Sequence, residues 1–200
     1  GGPLRPPGLW SSSWQCELHG SVYPLHVMSR PGPEALDHVV ARARVPVWLP
    51  WPLPTGWVVT GLGYAGDDRS DGRAVVVACS GPSPVGGPGD LVLVAEEPGV
   101  GLGARYAGLP GPDPGAGFDL GPPHAKVEAA GHPTPLWSID AGPDVAVYVG
   151  EAKGLWLWTV LWPAGTGMLL LEDFLLRDLR DGGPDLDPPY GAPTPRLCTP

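Results

Sequence analysis

The chain has 200 residues, enough for one sizeable core with a small module attached. Its 31 Gly and 29 Pro reach a level that signals disorder when hydrophobics are scarce, yet 42% of the residues are hydrophobic and nine are Trp, so the composition fits a folded protein with very many turns. The 12 Lys and Arg are scattered among 21 acidic residues, and the formal charge of −9 argues against a grip on nucleic-acid backbone.

Residues 1–28 read as a partial zinc-ribbon module. Trp, Cys and Val alternate with polar positions over 10–28, as in a ribbon hairpin, and Cys16-Glu17-Leu18-His19 separates two metal-ligand types by two residues. Structural zinc takes four ligands, so Cys16 and His19 supply half of a site. A Gly pair such as Gly1-Gly2 commonly follows the second cysteine of a zinc knuckle; with a Cys directly before Gly1 the pattern would become C-x2-C-x15-C-x2-H, a spacing that reads as zinc. The expectation is a zinc site whose other knuckle lies upstream, with poor metal binding by the chain as given.

Residues 29–56 hold a helix and a strap. Pro33 suits a first helical position, Ala35, Leu36, Val39, Val40 and Ala43 recur at helical spacing, and Arg42 and Arg44 favour the negative end of the dipole, so the pattern predicts a helix over 34–44. The strap Val45-Pro46-Val47-Trp48-Leu49-Pro50-Trp51-Pro52-Leu53-Pro54-Thr55-Gly56-Trp57 has prolines that remove donors and fix φ, which excludes a helix or a central strand and favours polyproline II. That period would align Trp48, Trp51 and Trp57, either as a ligand for an aromatic-grooved partner or, the reading preferred here, as anchors packed on the sheet.

Residues 57–181 read as an antiparallel β domain, with strands expected at 57–63, 73–80, 91–97, 103–108, 125–130, 136–140, 145–149, 155–162 and 168–176. The last three suggest a meander, because their five-residue connections are too short for a parallel crossover. Val75-Val76-Val77 and Leu91-Val92-Leu93-Val94 are apolar on both faces, so a second layer or a curled sheet has to cover each side. Leu155 to Trp162 is the longest apolar run; Pro163 stops it well short of the roughly 18 residues that cross a bilayer. Residues 182–200 form a Pro-rich tail, read as an extended, partly mobile strap.

Motifs with established chemistry fail on inspection. Asp67 to Gly72 starts like a calcium loop, but Arg69 and Ala78 stand where ligands belong, and a polar hairpin turn explains it. Gly99-Val100-Gly101-Leu102-Gly103 lacks the third glycine of a dinucleotide fingerprint and reads as a flexible turn that opens no helix. The titratable candidates are Glu96, Glu97, Arg105, Glu151 and Lys153 at strand ends, and His124 and His132 beside a short strand. They would serve acid–base chemistry only by converging in a cleft, and a solvated loop charge is the plainer reading of each. Trp156, Trp158 and Trp162 share one strand face, as core or as the lining of an apolar ligand pocket. Cys16, Cys79 and Cys198 have no framework spacing, which points to a reducing, cytoplasmic setting.

Trp14-x-Cys16-x-x-His19-Gly20, the Pro/Trp strap, Tyr64-Ala-Gly-Asp-Asp-Arg69, Ala78-Cys-Ser-Gly-Pro82, Val100-Gly-Leu-Gly-Ala-Arg-Tyr-Ala-Gly108 and Gly154-Leu-Trp-Leu-Trp158 together resemble a family of uncharacterised proteins from high-GC Gram-positive (actinobacterial) bacteria. The resemblance spans almost the whole chain and implies an N-terminal C-P-x-C-G-G zinc knuckle, but no established activity. The combined expectation is a mainly β fold with a minor α part: an antiparallel, turn-rich sheet or two-layer sandwich with one short helix and a partial zinc ribbon. Functionally it is a cytosolic, non-enzymatic module binding a protein partner or small ligand, with neither nucleic acid nor membrane as partner. The alternative is an enzyme, an acyl or phosphoryl transferase, using the strand-end carboxylates and Arg105.

Overall fold

The computed structural model describes residues 4–6, 14–16, 20–67, 69–172, 174–182 and 186–197. In chain order the strands and helices are β1 (Leu4–Arg5), β2 (Trp14–Cys16), β3 (Gly20–Val22), β4 (Leu25–Val27), α1 (Pro33–Arg42), β5 (Trp48–Pro50), β6 (Val58–Asp67), β7 (Asp71–Pro82), β8 (Pro88–Glu96), α2 (Leu102–Tyr106), β9 (Ala125–Ala129), β10 (His132–Ile139), β11 (Ala146–Ala152), β12 (Leu155–Trp162) and β13 (Leu175–Asp178). Two 3-10 helices, Ala164–Leu171 and Leu179–Asp181, flank β13. The mainly β expectation holds, and α1 opens with Pro33 in its first turn and closes with Arg42 in its last.

β1, β2 and β3 make a small antiparallel sheet, while the other strands form one mixed ten-stranded sheet in the order β4-β6-β7-β8-β12-β11-β10-β9-β13-β5. β10 is where this sheet turns. Its first half pairs with β9 and its second half with β11, so β9, β13 and β5 fold back over the sheet they belong to. One core then joins Val127, Leu176, Trp48 and Leu49 from the folded-back strands to Leu62, Val77, Leu93 and Leu157 from the main sheet, with Val39 of α1 sealing it. The curled sheet supplies the cover that doubly apolar strands require.

Alternation divides the main sheet cleanly. Leu91, Leu93 and Ala95 of β8 enter that first core, whereas Val92, Val94 and their neighbours Val76, Val149, Trp158 and Val160 form a second core on the opposite face. Leu102, Ala104 and Tyr106 of α2, together with Leu197 of the C-terminal segment, cover this second face. The tail thus lies against the fold at Pro188, Thr194 and Leu197, with Leu197 only 1% exposed.

Three local expectations change. The strand expected at 103–108 is replaced by α2 and the turn after it, and the Gly99–Gly103 segment, expected to open no helix, leads into α2 because the Leu102 and Gly103 amides find an acceptor in Glu96. The meander ends at β12, which pairs with β8; the segment expected at 168–176 divides into a 3-10 helix and β13, and β13 runs parallel to β9. The strap contributes an edge strand instead of a polyproline helix. Val47 accepts from the Leu179 N–H and Trp51 donates to the Leu175 carbonyl, so the odd positions face β13, and Pro46, Pro50 and Pro52 fall on the alternate positions that face away. Proline costs no ladder bond there and blunts the edge against further pairing.

Candidate functional site

The titratable residues singled out from sequence do not converge. Glu96 ends β8 on the same face as Val92 and Val94, and burial carries it fully under α2. Its carboxylate accepts from the Leu102 N–H at 2.6 Å and the Gly103 N–H at 3.2 Å. Burial pushes its pKa up to about 7, against the lowering effect of those two amides. Glu97 instead accepts from Arg73 Nε at 2.7 Å, and the Arg73 guanidinium lies 4.8 Å from the Tyr23 ring centre. Arg105, His132 and Glu151 are exposed, and the His124 ring accepts from the Ser138 N–H at 3.2 Å.

Lys153 donates to Asp178 at 3.1 Å and sits 5.6 Å from the Trp48 ring centre. Asp178, which sequence reasoning did not single out, is the second buried carboxylate among the described residues. Burial alone would raise its pKa, but bonds from the Arg180 side chain, the Val47 N–H and Lys153 outweigh it and hold the value to about 2. Among the described residues, no hydrogen bond or ion pair joins Glu96 or Glu97 to Arg105 or His132. Nor do the described residues hold a group of three or more His, Cys, Asp or Glu able to bind a metal. His19 lies outside the described residues; Cys16 is described as the last residue of β2, paired with Gly20.

The Trp stripe is core. Trp158 is fully buried, Trp156 donates to Asp113 at 2.9 Å, and Trp162 lies beneath the Arg196 guanidinium. The turn at Asp67 likewise matches its plain reading, with the side chain accepting from the Arg69 and Ser70 amides. Among the described residues no helix is long and apolar enough to cross a membrane.

What does stand out is the 3-10 helix Ala164–Leu171. Three residues per turn bring positions i, i+3 and i+6 into one row, and the burial pattern follows that period. Thr166, Gly167, Leu169 and Leu170 are buried, whereas Met168 is 50% and Leu171 69% exposed. The row continues through Gly165, over which Val85 of the β7–β8 loop is laid; a Cβ at Gly165 would stand 2.7 Å from Val85 Cγ2. Val85, Gly165, Met168 and Leu171 therefore make one apolar ridge. Thr166 fixes it underneath, its hydroxyl donating to Ser83 Oγ at 3.0 Å. Beside the ridge, a cleft of about 350 Å³ separates it from the strap, lined by Pro52, Leu53, Leu169, Phe174 and Leu175. Sequence reasoning missed the ridge by applying a strand's period of two to 168–176. The signal available was the i, i+3 spacing of Gly165, Met168 and Leu171.

The chain belongs to a family of unknown function, DUF6758, whose model matches residues 1–197. No curated protein and no solved structure matches it.

Proposed function

We propose that this DUF6758 chain is a cytosolic, non-enzymatic interaction module that engages a protein partner through the ridge formed by Val85, Met168 and Leu171. The observation that carries the reading is a row of large apolar side chains, each at least half exposed: Met168 and Leu171 on a helix whose inner face is pinned to the sheet, and Val85 from the neighbouring β7–β8 loop. A soluble chain of this acidity has every reason to hide such a row, and exposed apolar patches rimmed by polar surface mark binding sites. The dispersal of the charged candidates supports the same reading, since acid–base catalysis needs them in one cleft.

The test is complementation of a deletion strain. Met168→Lys with Leu171→Lys is expected to abolish the cellular role while the protein stays folded, and a photo-crosslinker at position 168 is expected to trap one protein partner that the double variant loses. Glu97→Gln, Arg105→Ala and His132→Ala are expected to leave the role intact. Loss of function in those folded charge variants would transfer the assignment to an enzyme.

A second reading concerns zinc. Cys16 pairs with Gly20 across the β2–β3 hairpin, so the three residues that join these strands include His19, and Leu4 of β1 pairs with Cys16. A two-ligand knuckle calls for such a hairpin. We read Cys16 and His19 as half of a tetrahedral zinc site completed by two further ligands. Metal analysis of the protein extended upstream is expected to find about one zinc per chain, lost on Cys16→Ser; less than about half an equivalent overturns the reading.

A further inference from the structure

The C-terminal segment is seated in the main sheet as a bound peptide would be. β4 covers β6 only from Gly63 to Ala65, with the Met28 N–H reaching the Leu62 carbonyl. The first half of β6 therefore presents an edge beyond β4, and the tail takes it. The Val59 N–H donates to the Pro189 carbonyl at 2.8 Å, the Gly191 N–H donates back to the Val59 carbonyl at 2.9 Å, and the Thr194 N–H donates to the Thr60 carbonyl at 2.9 Å. Main-chain bonds of this kind let a sheet edge hold an extended segment of almost any sequence, and selectivity then comes from side-chain sockets beside the edge.

Two such sockets follow. Thr60, Ser80 and Asp90 stand across β6, β7 and β8 in one hydrogen-bonded line: Thr60 Oγ1 and Ser80 Oγ are 2.9 Å apart, and the Ser80 hydroxyl donates to Asp90 Oδ1 at 2.8 Å. That arrangement leaves Asp90 Oδ2 for a cation, and Arg196 Nε donates to it at 3.0 Å while the guanidinium carbon lies 4.7 Å from the Trp162 ring centre. A fixed carboxylate beside an indole face is selective for a planar guanidinium. The second socket is at Gly61, where a Cβ would stand 2.4 Å from Leu197 Cδ1. The missing side chain is what admits Leu197 to the second core.

We infer that the edge of β6 beyond β4, with the Asp90–Trp162 socket and the Gly61 socket, is a recognition groove for an extended segment of a partner protein carrying adjacent Arg and Leu, and that the chain's own tail is the occupant such a segment displaces. The tail's hold suits displacement. Its ion pair is partly exposed, with 40% of the Arg196 side chain and 28% of the Asp90 side chain in contact with solvent, and such pairs bind weakly. Among the described residues beyond Tyr190, Leu197 is the one large apolar side chain that it buries. The groove is independent of the ridge, and variants at Met168 and Leu171 leave it untouched.

Hydrogen exchange on the unmodified chain tests whether the tail leaves on its own. The amides of Gly191 and Thr194 are expected to exchange at least about 100-fold faster than those of Val77 and Leu93, through local opening; exchange at the common global rate makes the tail part of the cooperative fold and overturns the proposal. The second test uses the full chain carrying Leu197→Asp, or Leu197→Ala if the first variant does not fold, and a fluorescent peptide copying Pro188 to Leu197. The peptide is expected to bind the variant at least about tenfold more tightly than the unmodified chain, and to lose about tenfold when its Arg is replaced by Ala or when Asp90→Asn is added to the protein. No binding to either folded variant overturns the groove. A dimer of the unmodified chain that dissociates on Leu197→Asp would assign the groove to tail exchange between copies and overturn the foreign partner.

Discussion

Glu96 and Asp178 are both fully buried side chains, one on each face of the same sheet, and they sit at opposite ends of the carboxylate range. Glu96 accepts from the backbone amides that open α2, with the Trp158 side chain and the Asp113 carboxylate nearby. Asp178 meets two cations, Arg180 and Lys153, as well as the Val47 amide. Burial penalises the charged form in both cases; at Glu96 it stays dominant and Asp113 adds like-charge repulsion, whereas at Asp178 the two cations and the Val47 amide overturn it. Asp178 ties the end of β13 to the strap and to the turn after β11, and Glu96 ties α2 over the second core; each is a structural pin.

The largest expected effect comes from the apolar side of the Asp178 site. Trp48 is 2% exposed and carries Lys153 above its ring, so Trp48→Ala is expected to cost about 3–5 kcal/mol in chemical denaturation, with a smaller loss for the half-buried Trp51. Breaking the ion cluster comes next. Asp178→Asn leaves Lys153 and Arg180 without their shared carboxylate, and a loss of about 3 kcal/mol near neutral pH is expected.

The pH dependences have opposite signs. Glu96 binds a proton in the folded chain up to about pH 7, whereas the unfolded chain releases it near 4.5. Its contribution to stability is therefore fully present below 4.5 and is lost as pH rises through 7, by about 3 kcal/mol in all. Denaturation of Glu96→Gln across that window is expected to lack this slope, and an unchanged slope would place the titration elsewhere. Asp178 contributes stability above its unfolded pKa near 3.8, lost as pH falls through about 2, so Asp178→Asn is expected to flatten the acid limb by about 2 kcal/mol. The smallest effect on stability belongs to the ridge: Met168→Lys and Leu171→Lys touch exposed side chains and are expected to change stability by no more than about 0.5 kcal/mol, which makes them clean probes of partner binding.

Parity could have identified Glu96 in advance. It continues the row of Val92 and Val94, and a carboxylate on a doubly apolar strand has to be buried unless that strand's end is exposed. Asp178 carried no such signal, because Lys153 and Val47 reach it from 25 and 131 residues away in sequence.

Local pattern alone determined the β class, α1 and its proline start, the β11–β12 hairpin, the turn at Asp67 and the shared strand face of the Trp stripe. In each case a period or a turn residue acts over fewer than about fifteen positions, within the reach of backbone sterics and alternation. Only the tertiary structure decided that the strap is an edge strand, that Gly101 precedes a helix, that the Leu-rich segment after Pro163 follows a period of three, and that the tail is packed. Three of these depend on a distant partner, β13 for the strap, Ser83 beneath Thr166 and Gly61 for Leu197, whereas the acceptor for α2, Glu96, is only six residues away but is placed by the burial of β8. Short segments rich in Pro and Gly have little conformational preference of their own, and long-range partners choose for them.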